Sequence, residues 1–67
     1  MSLLYIYLGV VTRLVGGVAV GSVDGTGSAA TFYNPNGLAV STLGTVYVAD
    51  TNNHVIRTIS PTGNLVL

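Results

Sequence analysis

The densest group of polar side chains that could do chemistry consists of Asp50, Asn52, Asn53 and His54. A carboxylate, two amides and an imidazole in one short segment could bind a metal ion or a polar ligand. The same side chains also hydrogen-bond readily to the backbone of a tight turn. Because the chain has one histidine and no cysteine, it cannot assemble a cluster of His or Cys ligands. We therefore expect these residues to stabilise a turn, and we assign no metal or cofactor site.

Catalysis is not expected either. His54 and Arg57 are separated by an odd number of positions, so on a regular strand their side chains would point to opposite faces. Ser41 and Ser60 could in principle act as nucleophiles, but no nucleophile motif surrounds either of them. We predict that the protein is not an enzyme and assign it no catalytic residue.

The glycine-rich segment 21–27 contains Asp24 and resembles a ligand-binding loop in composition only. A phosphate-binding loop ends in Gly-Lys-Ser/Thr and is followed by a helix, and both features are missing. A calcium loop needs several carboxylates, whereas this segment has one. We expect a flexible connection between two structural units.

The charged side chains are few, at 6% of the sequence, and they are Arg13, Asp24, Asp50 and Arg57. A nucleic-acid-binding protein needs several clustered Lys or Arg residues to neutralise phosphates, so we expect no nucleic-acid partner. A surface this poor in charge offers little protection against self-association. The composition therefore favours a chain that packs against other copies or other units.

The apolar run from Leu3 to Val11 raises the question of membrane targeting. No Lys or Arg precedes it, although a signal peptide begins with a positively charged region. A spanning helix needs about 20 apolar residues and would have to include Arg13. We favour a β-strand and consider a membrane unlikely as a partner, and we assign no localisation. A secreted or membrane-targeted peptide with an apolar N-terminal signal stays open as an alternative.

The second half of the chain has the spacing of short strands and turns. Val, Ile, Tyr and Thr are abundant and favour strands, while glycine, proline and asparagine separate the apolar runs. Val46 and Val48 should lie on one face of their strand, and Tyr47 and Ala49 on the other. We expect both faces of the sheet to contact other units. The predicted strands are 38–41, 45–50, 54–59 and the beginning of a fourth at 64–67.

Residues 1–15 are predicted to form a hairpin that resembles the third and fourth strands of a preceding unit. A Gly/Ser-rich loop at 16–36 should connect this hairpin to the unit at 37–67. We also expect Val10 to Val15 to supply the strand that residues 64–67 only begin, either from another copy or by folding back within the chain.

Several motifs of this chain are together similar to the NHL repeat. Residues 24–40, with Asp-Gly-Thr-Gly-Ser-Ala-Ala and then Asn-Pro-Asn-Gly-Leu-Ala-Val, resemble its opening. Residues 46–57, with Tyr-Val-Ala-Asp, Asn-His and Ile-Arg, resemble its core, and residues 11–17 resemble its closing strand. Departures from the family pattern occur at Ser41, Thr45 and Thr58, and Met1 to Tyr7 lack the His and Arg of a third strand. The signature residues that carry the resemblance are Pro35, Gly37, Asp50, Asn53, His54 and Arg57.

The resemblance implies an all-β fold, an antiparallel four-stranded blade in a partial β-propeller of NHL type. Propellers of this family most often have six blades, and most are interaction scaffolds. The expected function is a non-catalytic structural and protein-interaction module that completes a ring with other copies or blades, with a protein as partner. The alternative is an incomplete fragment of a larger NHL-repeat propeller with no independent function.

Overall fold

The computed structural model describes residues 3–7, 10–17 and 19–67, and the side chains of residues 15–17 and 19–67. These residues form short strands joined by tight turns, as the prediction of an all-β chain requires. No helix among them is long and apolar enough to cross a membrane. The strands are β1 (Leu3–Tyr7), β2 (Val10–Val15), β3 (Gly25–Thr26), β4 (Pro35–Val40), β5 (Val46–Asp50), β6 (Val55–Ile59) and β7 (Leu65–Val66).

Five of the strands form one antiparallel sheet in the order β3-β7-β6-β5-β4. Strands β4 to β7 pair with their neighbours in sequence, because each turn between them is short. Between β4 and β5, the backbone N–H of Thr45 donates to Ser41 Oγ over 3.1 Å, and Gly44 has a positive φ of 89° that glycine adopts without steric cost. Strands β4 to β7 therefore form the four-stranded antiparallel blade predicted from the sequence.

The outer edge of this sheet differs from the prediction. We expected Val10–Val15 to pair with the fourth strand, but β7 pairs with Gly25–Thr26, and Val10–Val15 pairs with Leu3–Tyr7 in a separate two-stranded sheet. The partner strand comes from segment 16–36, where we predicted a loop. The same segment contains a 3-10 turn at Gly27–Ala29 and an isolated parallel bridge between Val20 and Phe32.

The turn between β5 and β6 is also different in detail. We expected the third strand to begin at His54. Instead, Thr51–Asn53 forms a 3-10 turn, His54 has left-handed dihedrals with φ of 59°, and the strand begins at Val55. The left-handed residue closes the turn because the backbone N–H of His54 donates to the carbonyl of Thr51.

One face of the five-stranded sheet, which we call the covered face, is packed against the chain itself. Residues 19–32, the covering segment, place Ala30 and Phe32 on this face, and Val15 of β2 joins them. The opposite face, which we call the open face, exposes Tyr47 and Ile56. Our expectation that both faces meet other units is therefore wrong for the covered face. The residues of the core are Val15, Ala30, Phe32, Val46, Val48, Ile59 and Val66.

Candidate functional site

Asp50 and Arg57 lie together on the covered face, on adjacent strands. The register pairs Asp50 with Val55 and Val48 with Arg57, so both side chains project toward the covering segment because alternate residues of a strand share a face. Asp50 is fully buried, and 3% of Arg57 is exposed. A charge removed from water at this depth must be paired and hydrogen-bonded to be tolerated.

Arg57 uses all five of its N–H donors. Nη1 donates to Asp50 Oδ2 over 2.9 Å and to the carbonyl of Thr31 over 2.8 Å. Nη2 donates to Asp24 Oδ1 over 3.0 Å and to the carbonyl of Val23 over 3.1 Å. Nε donates to the carbonyl of Leu67 over 3.2 Å. One side chain on β6 thus links β5, the residue that follows β7 and the covering segment.

The guanidinium of Arg57 also lies against the ring of Phe32, with 5.0 Å between its central carbon and the ring centroid. At this distance a cation is attracted to the electron-rich face of an aromatic ring. Phe32 is fully buried. The contact therefore connects the polar network to the apolar core of the covered face.

Asp50 accepts three hydrogen bonds. The backbone N–H of Tyr33 donates to Oδ1 over 2.7 Å, and Asn53 Nδ2 and Arg57 Nη1 donate to Oδ2 over 2.7 and 2.9 Å. Burial by itself raises the pKa of Asp50, but the hydrogen bonds from Asn53, Tyr33 and Arg57, together with the positive charge of Arg57, outweigh it. The pKa of Asp50 consequently lies below its ordinary value of 3.8.

This network has the properties of a structural site. Asn53 Nδ2 also donates to the carbonyl of Gly21 over 2.7 Å, so Asn53 and Arg57 both attach the covering segment to the sheet, and Asp50 binds the backbone of Tyr33 immediately after that segment. Among the described side chains no buried nitrogen or oxygen lacks a hydrogen-bond partner. Within the same part of the chain, no group of three His, Asp or Glu residues could hold a metal ion. The arrangement leaves the carboxylate of Asp50 inaccessible to a ligand in solution.

The remaining signature residues lie outside this network. His54 is exposed at the end of the 3-10 turn. Pro35 begins β4 opposite Asp50. Gly37 lies opposite Ala49, and a Cβ added to it would be 3.2 Å from the Cβ of Ala49. His54 and Arg57 therefore do not form a joint site.

Sequence reasoning missed the pairing of Asp50 with Arg57, because we compared Arg57 with His54 instead. The turn that separates β5 from β6 brings positions 50 and 57 to diagonal positions on one face. An Asp at the end of one strand and an Arg near the middle of the next was the signal available in the sequence. Nothing in the sequence indicated that Arg57 would also bind backbone carbonyls of Val23 and Thr31.

The open face is a second feature that a partner could use. The register aligns Gly37, Ala49 and Ile56 in one row across the sheet and Ala39, Tyr47 and Thr58 in the next. Gly37, Ala39 and Ala49 have little or no side chain and leave an open groove of about 260 Å³ along β4 and β5, which Tyr47 and Ile56 also line. None of these residues is charged, and Tyr47 and Ile56 are 46% and 65% exposed. The open face is thus an apolar surface with a shallow depression.

Comparison with known proteins supports the resemblance drawn from the motifs. Residues 32–59 match the NHL repeat. NHL repeat-containing protein 2 of Gallus gallus is 43% identical over 51 residues, which is 76% of this chain and 7% of that protein. The chain therefore spans a small part of this curated relative. No solved structure matches the chain significantly. The chain carries an NHL repeat at residues 32–59 and belongs among NHL-repeat sequences.

Proposed function

We propose that this chain is a non-catalytic protein-interaction module, a propeller-type blade that binds other blades or copies of itself through its open face. The observation that carries the proposal is that the chain buries one face of its sheet and leaves the other face exposed. The covered face is packed against residues 19–32, whereas Tyr47 and Ile56 on the open face are exposed.

An apolar sheet face is stabilised by a second layer, because sheets bury their hydrophobic side against another element. Burying one Ile or Leu side chain contributes about 1.5–3 kcal/mol. Among the described side chains, no charged residue lies on the open face, since Asp24, Asp50 and Arg57 belong to the network on the other side. A partner with a similarly apolar surface would therefore bury no unpaired charge of this face.

The test is the concentration dependence of the mass in sedimentation or light scattering. Ile56→Asp and Tyr47→Asp each introduce a carboxylate into the open face and should shift the chain toward monomer. Leu43→Asp is the matched control, because Leu43 is 85% exposed and lies in the turn between β4 and β5, outside the open face. It should associate as the parent chain does.

Two results would contradict the proposal. A parent chain that stays monomeric at all concentrations and binds no other blade would leave the open face without a role. An equal effect of Leu43→Asp and Ile56→Asp, with both variants folded, would show that association depends on overall charge and not on this face.

A further inference from the structure

We propose that Asn36 is a site of spontaneous deamidation, in which its side-chain amide is converted to a carboxylate through a cyclic imide with the backbone of Gly37. The inference does not depend on the proposed function. It rests on four observations. Asn36 is exposed, a glycine follows it, and it has no partner residue on the neighbouring strand. The hydroxyl of Thr51 also donates a hydrogen bond to its side-chain amide oxygen.

The backbone at Asn36 is outside the regular ladder. Pro35 pairs with Asp50 and Gly37 with Ala49, and the register shifts between them, so Asn36 has no partner residue on β5. Such a bulge leaves the extra residue unpaired and interrupts the ladder. In addition, β4 is the last strand of the described sheet, so one side of it has no neighbouring strand there. Asn36 is also exposed, and water therefore reaches it.

The reaction requires the backbone nitrogen of Gly37 to approach Cγ of Asn36. Gly37 has no side chain to obstruct this approach, and glycine accommodates the dihedral changes that ring closure demands. The nitrogen loses its proton to solvent and forms a bond to Cγ. The side-chain amide nitrogen takes up a proton from solvent, the bond from Cγ to it breaks, and it leaves as ammonia. Water then opens the ring at either carbonyl. The products are an Asp or an isoaspartyl residue and ammonia, and no oxidant or reductant is involved.

Thr51 supplies a group that favours the first step. Its hydroxyl lies 2.5 Å from Asn36 Oδ1 and donates to it. During the attack, negative charge develops on this oxygen, and a donor already in place stabilises that charge. A hydrogen bond of ordinary strength, which is worth about 1.4 kcal/mol, corresponds to about a tenfold change in rate.

The other asparagines provide internal comparisons, because none of them precedes a glycine: Pro35 follows Asn34, Asn53 follows Asn52, His54 follows Asn53 and Leu65 follows Asn64. Asn34 precedes Pro35, whose nitrogen carries no proton and cannot form the ring in this way. Asn53 is held by hydrogen bonds from its Nδ2 to Gly21 and Asp50, and a histidine follows it. Deamidation should therefore be concentrated at Asn36.

The experiment is incubation of the full chain at neutral and mildly alkaline pH, followed by peptide mass spectrometry and an isoaspartate assay. We expect the mass gain at Asn36, faster at the higher pH because the attacking nitrogen must lose a proton. Asn36→Gln should abolish it, since the longer side chain disfavours ring closure. Thr51→Val should slow it about tenfold, and Thr51→Ser, which keeps the hydroxyl, should restore the parent rate.

The result that overturns the proposal is an intact Asn36 in the folded chain under conditions where the denatured chain deamidates there. That outcome would mean that the strand prevents ring closure. If Thr51→Val is folded, by circular dichroism, and deamidates as fast as the parent chain, the stabilising role of the hydroxyl is wrong.

Discussion

The carboxylate of Asp50 and the guanidinium of Arg57 meet on the covered face, where Oδ2 lies 2.9 Å from Nη1. The two residues lie on different strands. Both are buried, so water does not screen the attraction between their charges. Asp24 contacts the same guanidinium from the outside, with 60% of its side chain exposed. The two ion pairs of Arg57 thus differ mainly in burial.

Asp50→Asn should destabilise the fold much more than Asp24→Asn. Breaking a buried pair by neutralising one partner leaves an uncompensated buried charge, at a cost of about 3–5 kcal/mol. An exposed pair contributes only about 0–1 kcal/mol. Urea unfolding followed by circular dichroism measures both differences. Equal midpoints for the two variants would contradict a structural role for the buried pair.

Acid should unfold the chain by protonating Asp50. Its pKa in the folded state lies below the ordinary value of 3.8, so the folded chain binds fewer protons than the unfolded chain as pH falls past that value. The corresponding stability is fully present above the unfolded pKa and is lost as pH decreases through the folded pKa. The free energy of unfolding, measured from neutral pH downward, should decline below pH 3.8. The Asp50→Asn variant should lack most of this decline.

Phe32→Ala should remove more stability than Tyr33→Ala. Phe32 belongs to the covering segment, is fully buried against the sheet and lies against Arg57, whereas Tyr33 is 44% exposed. Truncation of a buried Phe costs about 3–5 kcal/mol, which is a large part of the total for a small domain. The measurement is the Tm of each variant and of the parent chain in thermal unfolding. A Phe32→Ala variant as stable as Tyr33→Ala would mean that the covering segment contributes little.

His54→Gly should stabilise the protein. The left-handed φ of 59° at His54 is strained for a residue with a Cβ and is free of strain for glycine. After the entropy that glycine loses on folding, we expect a gain of about 0.5–1 kcal/mol, or about 2–8 °C in Tm. His54→Val should lower Tm, because a β-branched residue fits this region poorly. A lower Tm for His54→Gly would indicate that the imidazole itself stabilises the turn.

Local patterns were sufficient to predict that strands β4 to β7 exist, but not where β4 begins: we expected this strand at 38–41, and it runs over Pro35–Val40. Turn residues such as Gly44 and Gly63 separate these strands, and the alternation within β5 places Val46 and Val48 on one face. The left-handed residue was harder to predict, since Asn52, Asn53 and His54 all tolerate that conformation to some degree. The 3-10 turn at Thr51–Asn53 decides in favour of His54.

Contacts between distant residues could not be predicted in the same way. Gly25–Thr26 is too short to show the alternation of a strand. It forms a strand because its backbone pairs with the edge of β7 that β6 does not occupy. Similarly, Arg57 binds Thr31 and Val23 through backbone carbonyls, which are present at every position and carry no sequence signal. The polar network around Arg57 could therefore be identified only from the three-dimensional structure.

The pairing of Gly25–Thr26 with Leu65–Val66 has a consequence for biosynthesis. The two strands are about 40 residues apart along the chain, so closing the loop between them costs more entropy than closing a local hairpin. On the ribosome, residues 19–32 emerge well before β6 and β7, and the meander of β4 to β6 can form first from contacts near in sequence. We expect the covering segment to dock last. Until Arg57 has been synthesised, the nascent chain exposes Phe32 and the valines of the covered face to chaperones and to other nascent chains.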